Sequence, residues 1–122
     1  MSHDLYREIL IDHYSHPRHT TVLASPTHQG DTANRSCGDR VQIQLTVVND
    51  VIEQVGIQTE GCALAVAGGS VLAEQLFGKK LSDVKTIDEQ RIFQSLGGIT
   101  PGPARARCAT LALEALRSVL RT

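Results

Sequence analysis

Val41, Ile43, Leu45 and Val47 alternate with Gln42, Gln44, Thr46 and Val48, the two-residue period of a strand with one buried face. Asn49-Asp50 follows, a pair that tolerates positive φ. Residues 51–59 then return with Val51, Val55 and Ile57 on one side, which predicts an antiparallel hairpin. Elsewhere the apolar period is helical. In residues 4–14, Leu5, Ile9 and Leu10 recur with Tyr6 and Tyr14, Asp4 is placed to cap the first turn, and Pro17 stops the helix. Residues 15–36 carry Pro17, Pro26 and many small polar side chains, an excursion with room for one edge strand. Residues 62–77 place Leu64, Val71, Leu72 and Leu76 at helical spacing and end at Gly78, a left-handed cap. Gly68 and Gly69 each cost such a helix about 1 kcal/mol, which is tolerated where another backbone must come close. Residues 81–96 allow one or two short helices, and residues 97–102 form a break. From Pro103, which suits the first helical position, Cys108, Leu111, Ala112, Ala115, Leu116, Val119 and Leu120 lay an apolar stripe along a closing helix. The order predicts an α+β fold, with helices gathered mainly on one face of a small antiparallel sheet.

The 122 residues are expected to form one domain, 1–122, with a core large enough to need no disulfide staples. Twelve Lys and Arg against thirteen Asp and Glu leave a formal charge of -1, without the basic footprint that a nucleic-acid partner requires. No apolar run approaches the roughly 20 residues of a membrane span, and residues 1–4 lead into a charged helical pattern instead of a signal peptide. A cytoplasmic protein with neither nucleic acid nor membrane as partner is expected. Its three cysteines cannot all pair, so reduced thiols with a chemical or metal-binding use are favoured over a disulfide framework.

Each cysteine falls at the edge of a predicted element. Cys37 precedes the first strand of the hairpin, Cys62 opens a helix after Gly61, and Cys108 stands near the start of the last helix. A helix N-terminus favours thiolate over thiol, which would serve Cys62 and Cys108. In Cys37-Gly38-Asp39 the intervening glycine lets a thiolate and a carboxylate address one ion. Cys37, Asp39, Cys62 and Cys108 would suit tetrahedral Zn2+ or a small iron-sulfur cluster. Four anionic ligands would leave a zinc complex at -2, and Arg40, Arg105 and Arg107 lie close in sequence to balance it. Taken singly each cysteine also fits an inert core position, and no pair has the C-x-x-C spacing. His13, His16 and His19 recur every three residues, but Pro17 ends the helix that would gather them, so packing or surface roles are expected. Gly97-Gly98 lacks the Lys-Ser/Thr of a phosphate loop.

Leu5-Tyr6-Arg7-Glu8-Ile9-Leu10-Ile11-Asp12-His13-Tyr14 with Pro17-Arg18, then Cys37-Gly38-Asp39, Gly61-Cys62 and Ala104-Arg105-Ala106-Arg107-Cys108, resemble in order the motifs of the iron-sulfur scaffold family that includes IscU, SufU and the NifU N-terminal domain. The resemblance covers nearly the whole chain. It implies a three-stranded antiparallel sheet and a site of Cys37, Asp39, Cys62 and Cys108 at one end. It also implies a cysteine desulfurase of SufS or IscS type as sulfur donor and apo iron-sulfur proteins as recipients. IscU-type members usually carry His before the third cysteine and a Leu-Pro-Pro-Val-Lys motif upstream, where this chain has Arg107 and residues 98–103. The Arg-x-basic-Cys pattern is similar to SufU, which implies bound zinc and persulfide transfer. SufU proteins typically also carry an insertion between the second and third cysteines, for which this chain has little space.

The expected function is therefore a scaffold that binds zinc or a nascent 2Fe-2S cluster and accepts persulfide sulfur, with Cys37 the first and Cys108 the second candidate acceptor. Arg105 and Arg107 are the expected supporting charges. A zinc-dependent sulfurtransferase without scaffold role, a purely structural zinc domain and a metal-free thiol interaction module are the competing readings.

Overall fold

A computed structural model describes residues 2–34 and 38–120, with side chains from Leu5 onward. Helix α1 (Ser2–Ser15) leads into strands β1 (His28–Asn34), β2 (Asp39–Val48) and β3 (Val51–Glu60). Helices α2 (Ala63–Leu76), α3 (Leu81–Val84), α4 (Glu89–Ser95), α5 (Pro103–Ala109) and α6 (Leu111–Leu120) complete the order. The sheet is antiparallel in the order β1-β2-β3, so the α+β expectation holds, edge strand and hairpin included. Asn49 and Asp50 take φ of 52° and 67°, the left-handed pair that a two-residue hairpin needs.

The return strand departs from the expected face. Thr46 pairs with Gln54 but Val47 with Ile52, so Glu53 is an extra residue on β3. Such a bulge inverts the alternation. Ile52 therefore joins Val55 and Ile57 in the core, while the expected Val51 is only partly covered. Two other expectations are corrected. Helix α1 begins at Ser2, which puts Asp4 inside its first turn and not at the cap. The closing helix is two helices: Thr110 turns its hydroxyl back to the Ala106 carbonyl at 2.8 Å, and α5 ends there.

Helix α2 explains the small residues of its own middle. Successive helical positions point about 100° apart, and Gly68, Gly69 and Ser70 face three different neighbours. A Cβ on Gly68 would run into the carbonyl of Ala109 in α5. One on Gly69 would stand 3.3 Å from Ile57 and Thr59 of β3, and the Ser70 hydroxyl meets His13 of α1 at 2.6 Å. The expected close approach of another backbone is thus found at Gly68.

The second face of the sheet is crossed by residues 19–27. The Ile57 amide donates to the His19 carbonyl (2.8 Å), Leu23 donates to the Gln44 side chain (2.9 Å), and Val47 donates to the Thr27 hydroxyl (2.8 Å). This strap buries Gln44, a residue that alternation alone would expose. No helix among the described residues is long and apolar enough to cross a membrane.

Candidate metal centre

Asp39 opens β2 opposite Asn34 and lies on the same face as Val41, Ile43 and Leu45, so its carboxylate continues the core stripe at the end of the sheet. It is only 4% exposed. Two polar contacts from one residue meet it there. The Cys62 amide donates to Oδ1 at 3.3 Å, and the Cys62 thiol stands 3.5 Å from Oδ2. Cys62 is the N-cap of α2 in extended conformation, and its side chain caps nothing, so the sulfur is available to the site. The amides of a helix start also favour a carboxylate at this place.

Cys108 is the sixth residue of α5, directly before the Ala109–Thr110 break, and is partly buried. It therefore sits at the end of its helix and not near the start, and the helix-dipole argument serves Cys62 alone. The contact of Gly68 with Ala109 brings this turn against α2. Together Asp39, Cys62 and Cys108 place one donor atom each within 4.8 Å of one another. Neither cysteine is in a disulfide. Cys37 lies outside the described residues; on either side of the gap the Gly38 amide, with Gly38 at φ +79°, donates to the Asn34 carbonyl at 2.8 Å.

Zinc with sulfur and oxygen ligands at 2.0–2.3 Å in a tetrahedron needs donors about 3.5–3.8 Å apart. The Cys62–Asp39 separation of 3.5 Å already meets this, and the 4.8 Å limit on the third donor closes within side-chain rotation. The donors fit a thiophilic ion, and they are the only group of three or more candidate ligands found among the described residues.

The arginines are arranged differently from their sequence proximity. Arg105 turns to α1, donating to the Tyr6 hydroxyl at 3.4 Å beside a cleft of about 480 Å³ lined also by Leu64 and Ile99. Arg107 is exposed, and among the described residues no ion pair joins Arg40, Arg105 or Arg107 to Asp39. Tyr6 as the partner of Arg105 was not signalled by spacing. The sequence marks Gly61 only as the residue before Cys62, yet a Cβ on it would stand 2.6 Å from the Asp39 carboxylate.

His13 serves packing, as expected. Buried between α1 and α2, its Nδ1 lies 2.6 Å from the Ser70 oxygen, which also accepts from the Arg18 amide at 2.9 Å. Its Nε2 faces Glu74 at 3.5 Å. Burial, followed by the charge of Arg18, holds its pKa below the ordinary value of 6.5. His19 instead lies against the Phe77 ring, with centroids 4.9 Å apart.

An α+β sheet with a cysteine and carboxylate cluster at one end, matched over residues 5–122 by the model of the NifU-like N terminal domain, places the chain in that family. The protein from Aquifex aeolicus named iron-sulfur cluster assembly scaffold protein IscU is 35% identical, over 95% of this chain and 74% of its own. The zinc-dependent sulfurtransferase SufU of Bacillus subtilis is 30% identical, over 92% of this chain and 86% of its own. Among solved structures, FiSufU from Fervidobacterium islandicum AW-1 superposes with a TM-score of 0.81 at 24% identity, covering 98% of this chain and 99% of that one. The N-terminal NifU-like protein of Brucella abortus gives 0.83 at 17% identity, over 97% and 93%. The two structures agree with the fold.

Proposed function

We propose that this chain is an iron-sulfur cluster assembly scaffold whose Cys37, Asp39, Cys62 and Cys108 hold zinc or a nascent 2Fe-2S cluster, and which takes sulfur from a cysteine desulfurase. The observation that carries this reading is the convergence of Asp39, Cys62 and Cys108, from three elements, on one spot at the end of the sheet. Cys37 stands two residues before Asp39 in the sequence, the spacing that joins it to this donor set. The names of the relatives, a cluster assembly scaffold and a zinc-dependent sulfurtransferase, support a scaffold role and sulfur transfer.

Sulfur acceptance needs only a thiolate. It attacks the outer sulfur of the desulfurase persulfide; the old S–S bond breaks, its electron pair leaves on the desulfurase thiolate, and the new S–S bond makes a persulfide on this chain. Cys37, which falls between β1 and β2 in the sequence next to Gly38, is the first candidate and Cys108 the second. Zinc, when bound, would keep the thiolates deprotonated and covered. Asp39 contributes a harder donor than sulfur, which loosens the grip on a soft cluster and favours its passage to an apo iron-sulfur protein. A reducing compartment such as the cytoplasm suits these thiols.

Anaerobic purification followed by metal and acid-labile sulfide analysis tests the reading, together with mass spectrometry after incubation with desulfurase and cysteine. Iron with sulfide supports the scaffold. Zinc without sulfide, plus persulfide on the chain, supports a zinc-dependent relay, a second reading favoured by Arg107 standing directly before Cys108. Zinc that stays while no sulfur is accepted would leave a structural zinc domain, and protein with neither metal would refute the assignment. Persulfide surviving in Cys37→Ser would move the acceptor role to another cysteine.

A further inference from the structure

We propose that Gly61 is a positioning residue of this centre: its missing Cβ is the space in which the Asp39 carboxylate stands beside Cys62. The inference rests on the metal-centre reading above. Gly61 links β3 to α2 at the surface. Its φ is not among the left-handed values found at Gly38, Gly78, Gly97 and Gly98, so backbone conformation does not demand glycine there. Core packing does not demand it either, because the residue is exposed. The atoms nearest the vacant Cβ position belong to one side chain. The three nearest atoms are Cγ and Oδ1 of Asp39 at 2.6 Å and its Cβ at 2.9 Å.

A methyl group at this position cannot coexist with the observed carboxylate. Rotation of Asp39 relieves the contacts with Cγ and Oδ1, and it withdraws Oδ1 from the Cys62 amide and Oδ2 from the Cys62 thiol, contacts of 3.3 and 3.5 Å. The Asp39 Cβ at 2.9 Å requires a small main-chain shift as well. The fold then loses two polar contacts of a buried carboxylate, and the donor set loses its oxygen. Gly68 differs, since a Cβ there meets main chain, which no rotamer relieves. Comparing Gly61→Ala with and without Asp39→Gly therefore separates ligand geometry from folding.

The test measures Zn2+ affinity, by competition with a chelating dye, for wild type, Gly61→Ala, Asp39→Gly and the double variant. Gly61→Ala is expected to bind zinc about 10- to 100-fold more weakly, the range found when groups that orient a ligand are disturbed. Its metal-free unfolding transition should fall less than that of Gly68→Ala, where all three nearest atoms are main chain. In the Asp39→Gly background, where all three contact atoms are gone, the alanine should cost nothing further. Equal losses in both backgrounds, or no loss in either, would overturn the proposal. A metal-free arm reads the χ1 rotamer of Asp39 from its Hα–Hβ three-bond couplings. The rotamer should change between wild type and Gly61→Ala, and an unchanged one would also overturn the proposal. A wild type that binds no zinc would sink the metal-centre reading instead, while this second arm would still decide whether Gly61 places the carboxylate.

Discussion

Asp39 is the residue at which burial and lability meet. A carboxylate only 4% exposed needs polar partners, and the amide and thiol of Cys62 are two of them. As the single oxygen among three sulfur candidates it is the donor expected to release first. Asp39→Cys should accordingly slow cluster transfer to an apo-ferredoxin, followed by the recipient's absorbance; unchanged kinetics would remove that role. His13 carries a different residue-scale prediction. Its folded-state pKa lies below 6.5, chiefly through burial. The unfolded chain thus binds more protons than the folded one once the pH falls below the ordinary value, and stability is lost as acid carries the solution down through the folded pKa. Glu74 and Asp12 oppose the shift without reversing it. Urea titrations between pH 5 and 8 should show His13→Gln with a shallower acid slope than wild type. At neutral pH the variant should be about 1–2 kcal/mol less stable, because the imidazole contact of Ser70 is lost. Parallel slopes would place the acid sensitivity elsewhere.

Among the elements, α2 shows how three neighbours are fitted round one helix. Gly68 faces main chain in α5, so Gly68→Ala gains about 1 kcal/mol of helix propensity but must push α5 away. At Gly78, with φ +79° and open space around it, alanine costs only the left-handed conformation, roughly 1 kcal/mol. Denaturant midpoints should fall much further for Gly68→Ala than for Gly78→Ala, and the reverse order would refute the close approach. The need for this approach was legible in the sequence, because two adjacent glycines weaken an otherwise regular apolar helix and are tolerated where a neighbour must come close. The hairpin was legible as well, from strict alternation flanking Asn49-Asp50. The bulge at Glu53 was not, since Val51 and Ile52 are both β-branched and apolar and only the partner strand decides which turns inward. Nor was the break at Thr110, because the stripe from Cys108 to Leu120 stays apolar across a bend whose cause is one hydroxyl turned back on the helix.

For the molecule as a whole, the site is a junction and not a segment. Motif resemblance named Asp39, Cys62 and Cys108 together, but spacing alone left them 23 and 46 positions apart with no reason to meet. The reasons are tertiary: β3 hands the chain to α2 beside the start of β2, and the Gly68 contact sets the Cys108 turn against the same helix. A shared ion would therefore tie β2, α2 and α5 to one another, and it would bind the folded chain far better than the unfolded one. At a free zinc concentration a thousand times the dissociation constant, linkage contributes about 4 kcal/mol, or roughly 10–20 °C in melting temperature for a chain of this size. Zinc-loaded protein should melt higher than chelator-treated protein by this order, and Cys62→Ser or Cys108→Ser should abolish most of the difference, since either removes a donor from the junction. If each serine variant kept the full zinc-dependent increment, the ion would be bound elsewhere, and the meeting of these three side chains would be a packing arrangement without a ligand.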